Sequence, residues 1–277
     1  MIEIQWRTDL SRDETDQIRA LLASDGVDMP GGGQHLVAVD DGIAGYVHVD
    51  PAGDALGNEV AELVVHPDLR DQGLGDRLLT VLLTERRKPL RVWSHHDHPA
   101  AVRLAAKHGM RRVRELHRMG MDFGMDFPEP QLSNGVRLRT FVPGQDEEAM
   151  VAVNARAFSW HPEQGRLTVQ DVLDTEREDW FDPAGFFLAV DPDGRLLGFH
   201  WTKVHPDSTG EVYVVGVDTG AQGGGLGKAL TLAGLRYLKA LGLPRVILYV
   251  ESDNAPAIAV YAKLGFQLLD VGVQYER

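Results

Sequence analysis

Glu211-Val-Tyr-Val-Val-Gly-Val-Asp-Thr-Gly-Ala-Gln-Gly-Gly-Gly-Leu-Gly-Lys-Ala-Leu230 is the stretch whose reading decides the fold. Residues 211–217 are β-branched and aromatic, as a buried strand requires. Asp218 to Ala221 carry turn chemistry. Gly223, Gly224, Gly225 and Gly227 then leave the backbone bare where an amphipathic helix begins. Unpaired N–H groups at a helix start, with no Cβ in the way, form a cradle for a phosphate-bearing ligand. A nucleotide P-loop does not fit the register, because Gln222 stands where its first glycine belongs and Ala229 where its hydroxyl belongs. A dinucleotide fingerprint fails as well: its third glycine falls on Lys228 or on Leu230. A different phosphate ligand and a ligand-free strand–helix turn both remain.

A repeat separates these two readings. Arg70-x-x-Gly73-x-Gly75 matches Gln222-x-x-Gly225-x-Gly227 at an offset of 152, which also pairs Glu59 with Glu211 and Val65 with Val217. Lys107-His-Gly-Met110 matches Lys263-Leu-Gly-Phe266 at an offset of 156. Each loop follows a strand and opens a helix, so the chain reads as two copies of one α/β (α+β) fold. Each copy has a mixed, mostly antiparallel sheet flanked by helices. Residues 124–135 lack periodicity and hold two prolines, which predicts a linker between domains at 1–123 and 136–277. The spacing predicts a helix after the capping box Ser11-Arg-Asp-Glu14, and hairpins around Asp41-Gly42 and Pro192-Asp-Gly194. Gly216 inside a strand predicts a bulge or a close backbone approach, with relief of side-chain packing as the other reading.

Composition narrows the function. At 277 residues the chain has room for two cores. A formal net charge of −13 argues against nucleic acid or an anionic membrane as the main partner. Without cysteine there is no thiolate nucleophile and no cysteine-based metal site. The first residues lack the apolar core of a signal peptide, and no apolar run is long enough to span a bilayer. The expectation is a cytoplasmic monomer without a bound metal. His95-His96-Asp97-His98 invites a metal reading, but the repeat aligns it with Glu251-Ser-Asp-Asn254, a turn on the cofactor side.

Gln/Arg-x-x-Gly-x-Gly after such a strand resembles the coenzyme A pyrophosphate loop of the GNAT N-acetyltransferases. Asn254 to Phe266, with its Tyr-x-x-x-Gly-Phe ending, resembles the next helix of that superfamily. The resemblance implies that acetyl-CoA is held by Val215, Gly216 and Val217, by Gln222, Gly223, Gly224, Gly225, Leu226, Gly227 and Lys228, and by Asn254, Ala255, Pro256, Ala257, Ile258 and Ala259. The corresponding first-copy set is Leu63, Val64 and Val65 with Arg70, Asp71, Gln72, Gly73, Leu74 and Gly75. His161-Pro-Glu-Gln-Gly165, Trp180-Phe-Asp-Pro183, Gly198 to Pro206, Gly210-Glu-Val-Tyr213 and Leu248 to Asn254 are similar to the mycothiol synthases. That narrower likeness implies acetylation of the cysteinyl amine of desacetylmycothiol, with Glu163, Lys203, Glu211 and Tyr249 contacting that substrate. Other acceptors (an aminoglycoside, a polyamine, a protein N-terminus) and a non-catalytic acyl-CoA-binding module are the alternatives. Residues 24–34 are short for that family, with Asp25 and Asp28 as their only acids.

Acetyl transfer to an amine needs a base for the ammonium, donors for the oxyanion and an acid for the departing thiolate. Glu211, at the start of the strand, is the candidate base. Tyr261 is the candidate acid, a role that the resemblance also implies, and a phenol is a suitable proton donor to a thiolate. The first copy has Ala105 at the aligned place, so catalysis is expected in the second copy alone, with the first keeping a loop suited to coenzyme A.

Overall fold

Strand β1 (Glu3–Arg7) leads into helix α1 (Arg12–Ser24), whose start is fixed by both halves of the Ser11/Glu14 capping box. Such a cap contributes about 1 kcal/mol. The apolar stripe Ile18, Leu21 and Leu22 is buried against a sheet. That sheet continues with β2 (Gln34–Val39), β3 (Ile43–Asp50) and β4 (Glu59–Val65), then α2 (Leu74–Glu85), β5 (Leu90–Ser94), α3 (Pro99–Lys107) and β6 (Arg111–Asp122). A second run follows: β7 (Arg137–Thr140), α4 (Glu147–Ala157), α5 (Val169–Thr175), β8 (Phe186–Val190), β9 (Leu196–Val204), β10 (Thr209–Val217), α6 (Leu226–Ala240), β11 (Arg245–Glu251), α7 (Ala255–Lys263) and β12 (Gln267–Glu276). The computed structural model describes residues 2–27, 29–54, 56–86, 88–124, 126–161 and 164–277.

The two runs have the same topology. In the first, the strand order is β1-β2-β3-β4-β5, antiparallel until the parallel pair β4/β5. In the second it is β7-β8-β9-β10-β11, antiparallel until the parallel pair β10/β11. Each parallel pair is joined through a helix, as a crossover requires.

The contacts divide the chain into two units in a way that the linker position does not suggest. The first unit holds Met1–His117, Glu251–Asp253 and Asp270–Arg277; the second holds Arg118–Val250 and Asn254–Leu269. The end of β12 thus belongs with the first unit, where Val273 to Glu276 pair antiparallel with Ser94 to Arg91 of β5. Side chains explain the choice. Val273 and Tyr275 enter the core formed by Val92, Leu79 and Met110. Glu276 accepts from the Arg91 guanidinium at 2.8 Å.

The second unit has apolar clusters on both faces of its sheet. On one face, Phe186 stacks between Phe141 and Trp201, with ring centroids 4.4 and 4.6 Å away. On the other, Leu235 and Leu238 of α6 pack with Val212, Val246 and Leu248. Side chains along β10 therefore divide between an aromatic face and a helix-covered face.

Candidate active site

The second unit's parallel pair covers only Thr209–Val212 of β10 and Arg245–Leu248 of β11. Beyond that point, among the described residues, Val214 to Val217 pair with β9 alone. The strands part, and one backbone edge of 214–217 faces a gap. The register against β9 slips between Val212 and Val214, so Tyr213 is an extra, bulged residue. The bulge expected at Gly216 therefore lies three residues earlier. Gly216 pairs in register with Phe199, and a Cβ there would lie 2.6 Å from Phe199 Cε1 and 3.3 Å from Phe158 Cε2. Close approach by aromatic side chains, rather than a bulge, explains the glycine.

The bulge corrects the expected pairing of Glu59 with Glu211. In the first unit Val65 pairs with Gly45, and the ladder runs without a slip to Val60 opposite Asp50. In the second, Val217 pairs with Gly198, and the ladder reaches Glu211 opposite Lys203 after the extra Tyr213. Counted from the loop, the counterpart of Glu211 is Val60. Glu59 is one position further along β4, its side chain on the opposite face, with a carboxylate oxygen 3.6 Å from Arg86. The first copy thus lacks the carboxylate as well as the tyrosine.

Glu211 is 6% exposed. Its Oε2 accepts a hydrogen bond from Nε2 of His205 at 2.6 Å. His205 was quoted in the sequence only as part of a motif. The signal for it was the closing hairpin, which sets residue 205 diagonally across from residue 211. Lys203, opposite Glu211, has its ammonium 4.9 Å from the Trp180 ring and 5.7 Å from the Tyr213 ring. Tyr249, on the same face of β11 by alternation, is half-exposed. Glu163 lies outside the described residues. Tyr261 is half-buried on α7 beside Phe266, and burial pushes its phenol up to about 12. It therefore holds its proton at neutral pH, as an acid must.

The two loops share one backbone path. Gly73 and Gly225 are the N-caps of α2 and α6, at φ 84° and 79°, with no side-chain cap. The first-turn N–H groups are thus left for another acceptor. Asp71 and Gly223, equivalent positions, are also left-handed, at φ 58° and 88°. Arg70 Nε and Gln222 Nε2 each donate back to the strand's last carbonyl, Val65 O and Val217 O, at 3.0 and 3.2 Å. Nothing lies within 4 Å of a Cβ built on Gly223 or Gly225. Asn254 caps α7, its Oδ1 accepting from the Ala257 N–H at 3.3 Å.

Charge separates the loops. Where the second has Gly223 and Lys228, the first has Asp71 and Asp76. A cleft of about 270 Å³ opens over the first loop, lined by Leu63, Val65, Arg70, Gly73 and Gly75 among others. The cations at this cleft are already engaged: Arg70 with Asp25, Arg103 with Asp71 and Lys107 with Asp76. Beside Ala105, the counterpart of Tyr261, a void of about 60 Å³ remains. Among the described residues no group of three or more His, Asp or Glu is arranged to hold a metal ion. His96 pairs with Asp270, and His95 Nε2 lies 3.8 Å from Glu62. Among the same residues no helix is long and apolar enough to cross a membrane.

Parted parallel strands followed by a glycine-capped helix, twice over, define the class: a tandem GNAT acetyltransferase. The Acetyltransferase (GNAT) family model matches residues 153–266, and the Acetyltransferase (GNAT) domain model matches residues 31–111. Among solved structures, a GCN5-related N-acetyltransferase from Sphaerobacter thermophilus superposes with a TM-score of 0.76 at 23% identity, covering 99% of this chain and 95% of that one. A tandem GNAT protein from the clavulanic acid biosynthesis pathway gives 0.73 at 20% identity, covering 99% and 98%. Two mycothiol acetyltransferases are much closer in sequence. The one from Saccharomonospora viridis is 53% identical over 299 residues, covering 98% of this chain and 97% of the relative. The one from Amycolatopsis mediterranei is 53% identical over 297 residues, covering 99% and 98%. The chain belongs to the mycothiol acetyltransferase family.

Proposed function

We propose that the second copy transfers the acetyl group of acetyl-CoA to the cysteinyl amine of desacetylmycothiol, with Glu211 as base and Tyr261 as acid. The observation that carries this reading is the buried Glu211 carboxylate beside the point where β10 and β11 part, one bulge before the glycine-capped loop. The pyrophosphate of acetyl-CoA sits against the N–H groups of 223–228, and its pantetheine arm runs along the open edge of 214–217. The acceptor arrives as an ammonium and gives one proton to Glu211, directly or through water. The freed amine attacks the thioester carbon, with backbone N–H groups of 215–217 supporting the oxyanion. The C–S bond breaks, the thiolate takes the Tyr261 proton, and the nitrogen gives its second proton back to the tyrosinate, directly or through water. Lys203, Tyr249 and Glu163 contact the sugar–inositol part of the acceptor.

The first copy has neither group and serves as a non-catalytic partner domain. Coenzyme A in its cleft competes with Asp25, Asp71 and Asp76 for Arg70, Arg103 and Lys107, so its affinity there is lower than at the second loop.

The test is release of the CoA thiol with acetyl-CoA and desacetylmycothiol. Glu211→Gln lowers kcat by about 10²–10⁴-fold, the range for a lost general base. Tyr261→Phe lowers it less, and acetyl-CoA affinity stays within about twofold in both. No release above background with desacetylmycothiol, but release with a polyamine or aminoglycoside, assigns a different acceptor. No release with any amine refutes catalysis.

A further inference from the structure

Among the described residues the Glu211 carboxylate is held from one side only. A carboxylate accepts but does not donate, so the His205 nitrogen at 2.6 Å from Oε2 carries the hydrogen. The backbone that carries the imidazole is itself anchored. The His205 N–H donates to Thr209 O at 2.8 Å, and its carbonyl accepts from the Ser208 N–H at 3.0 Å. Ser208 sits at φ 65° to close this turn. The ring keeps 18% side-chain exposure against 7% for Glu211. The first copy offers nothing equivalent. Its counterpart of Glu211 is Val60, and its nearby Glu59 faces Arg86, a cation that never gives up its charge.

We propose that His205 is the positioning residue of the base: it fixes Oε2 of Glu211 and leaves Oε1 for the ammonium proton. This rests on Glu211 acting as the base. A donor on one oxygen fixes the plane of the carboxylate and so the direction from which Oε1 takes a proton. Ionisable neighbours at this end of the hairpin include Asp207 in its turn, Lys203 on β9, Tyr213 on β10, and Arg245 and Tyr249 on β11. The Thr209 N–H holds the Asp207 carboxyl below its ordinary range. Helix α4 also packs on these strands, but its Arg156 is tied to Asp218 at the far end of β10, at 2.7 Å.

The experiment is steady-state kinetics of His205→Gln and His205→Phe beside Glu211→Gln, with acetyl-CoA affinity and melting temperature as checks on the fold. His205→Phe removes the donor and is expected to lower kcat roughly tenfold or more, with KM for acetyl-CoA unchanged. His205→Gln keeps a side-chain donor and is expected to recover most of that loss. Equal losses of kcat in the two variants, or no loss in His205→Phe, overturn the proposal. If Glu211→Gln keeps wild-type turnover, the assignment of the base fails and takes this proposal with it. A dead Glu211→Gln beside a fully active His205→Phe refutes the histidine's role alone.

Discussion

His200 offers a sharp test of how the second unit is packed. It lies on β9, fully buried, with Nδ1–H donating to Leu230 O at 2.7 Å and, among the described residues, no partner for Nε2. Burial pushes its pKa down from 6.5 to about 4. The folded state therefore keeps the ring neutral where the unfolded chain binds a proton, so stability falls as the pH drops from 6.5 towards 4. At about 1.36 kcal/mol per unit, the full loss is roughly 3 kcal/mol, of which about 2 kcal/mol falls between pH 7 and pH 5. His200→Asn keeps a side-chain donor and removes the titration. The assay is denaturant unfolding followed by tryptophan fluorescence at pH 7 and pH 5, read as the difference between wild type and variant. Carboxylates that also respond to acid are present in both proteins and cancel. The variant is expected to lose about 2 kcal/mol less than wild type over that interval. Equal losses would refute the assignment of His200 as a buried neutral ring.

Two further substitutions probe the loop and the strand. Gly225→Ala forces a side chain into φ 79° at the N-cap of α6, at a cost of about 1–2 kcal/mol; calorimetric titration is expected to show coenzyme A binding at the second loop weakened about tenfold, with any weaker first-loop site unaffected. Gly216→Ala places a Cβ 2.6 Å from Phe199 Cε1, and overpacking of this kind costs about 1–3 kcal/mol; the melting temperature is expected to drop by several degrees, measured by circular dichroism.

How much of this was legible in advance follows from what leaves a chemical trace. The loops were readable because a backbone at positive φ selects glycine, and Gly73, Gly223 and Gly225 do sit there. The Ser11 cap was readable for a similar reason, since its hydroxyl satisfies a helix N–H. The bulge was not. Inserting one residue into a strand changes which residues are equivalent but leaves its β-branched, aromatic character intact, so a constant offset carried past Tyr213 matched Glu211 to the wrong neighbour. Gly216 drew attention because glycine is rare in strands, but the cause lay in Phe199 and Phe158, distant in sequence. His205 was within reach, since the hairpin closing at Pro206 to Ser208 puts it diagonally opposite Glu211. The allegiance of β12 was out of reach, because its alternation suits any sheet with an open edge and only the core around Val92 decides it.

That last strand has a consequence for biosynthesis. During translation the early domain of a tandem protein ordinarily folds before the later one appears. Here β5 must wait for Val273 to Glu276, which the ribosome makes after the whole second unit. Until then β5 lacks its partner on that side, a template for wrong pairing. The nascent first unit is therefore the half of this chain most in need of a chaperone, although it is the half made first.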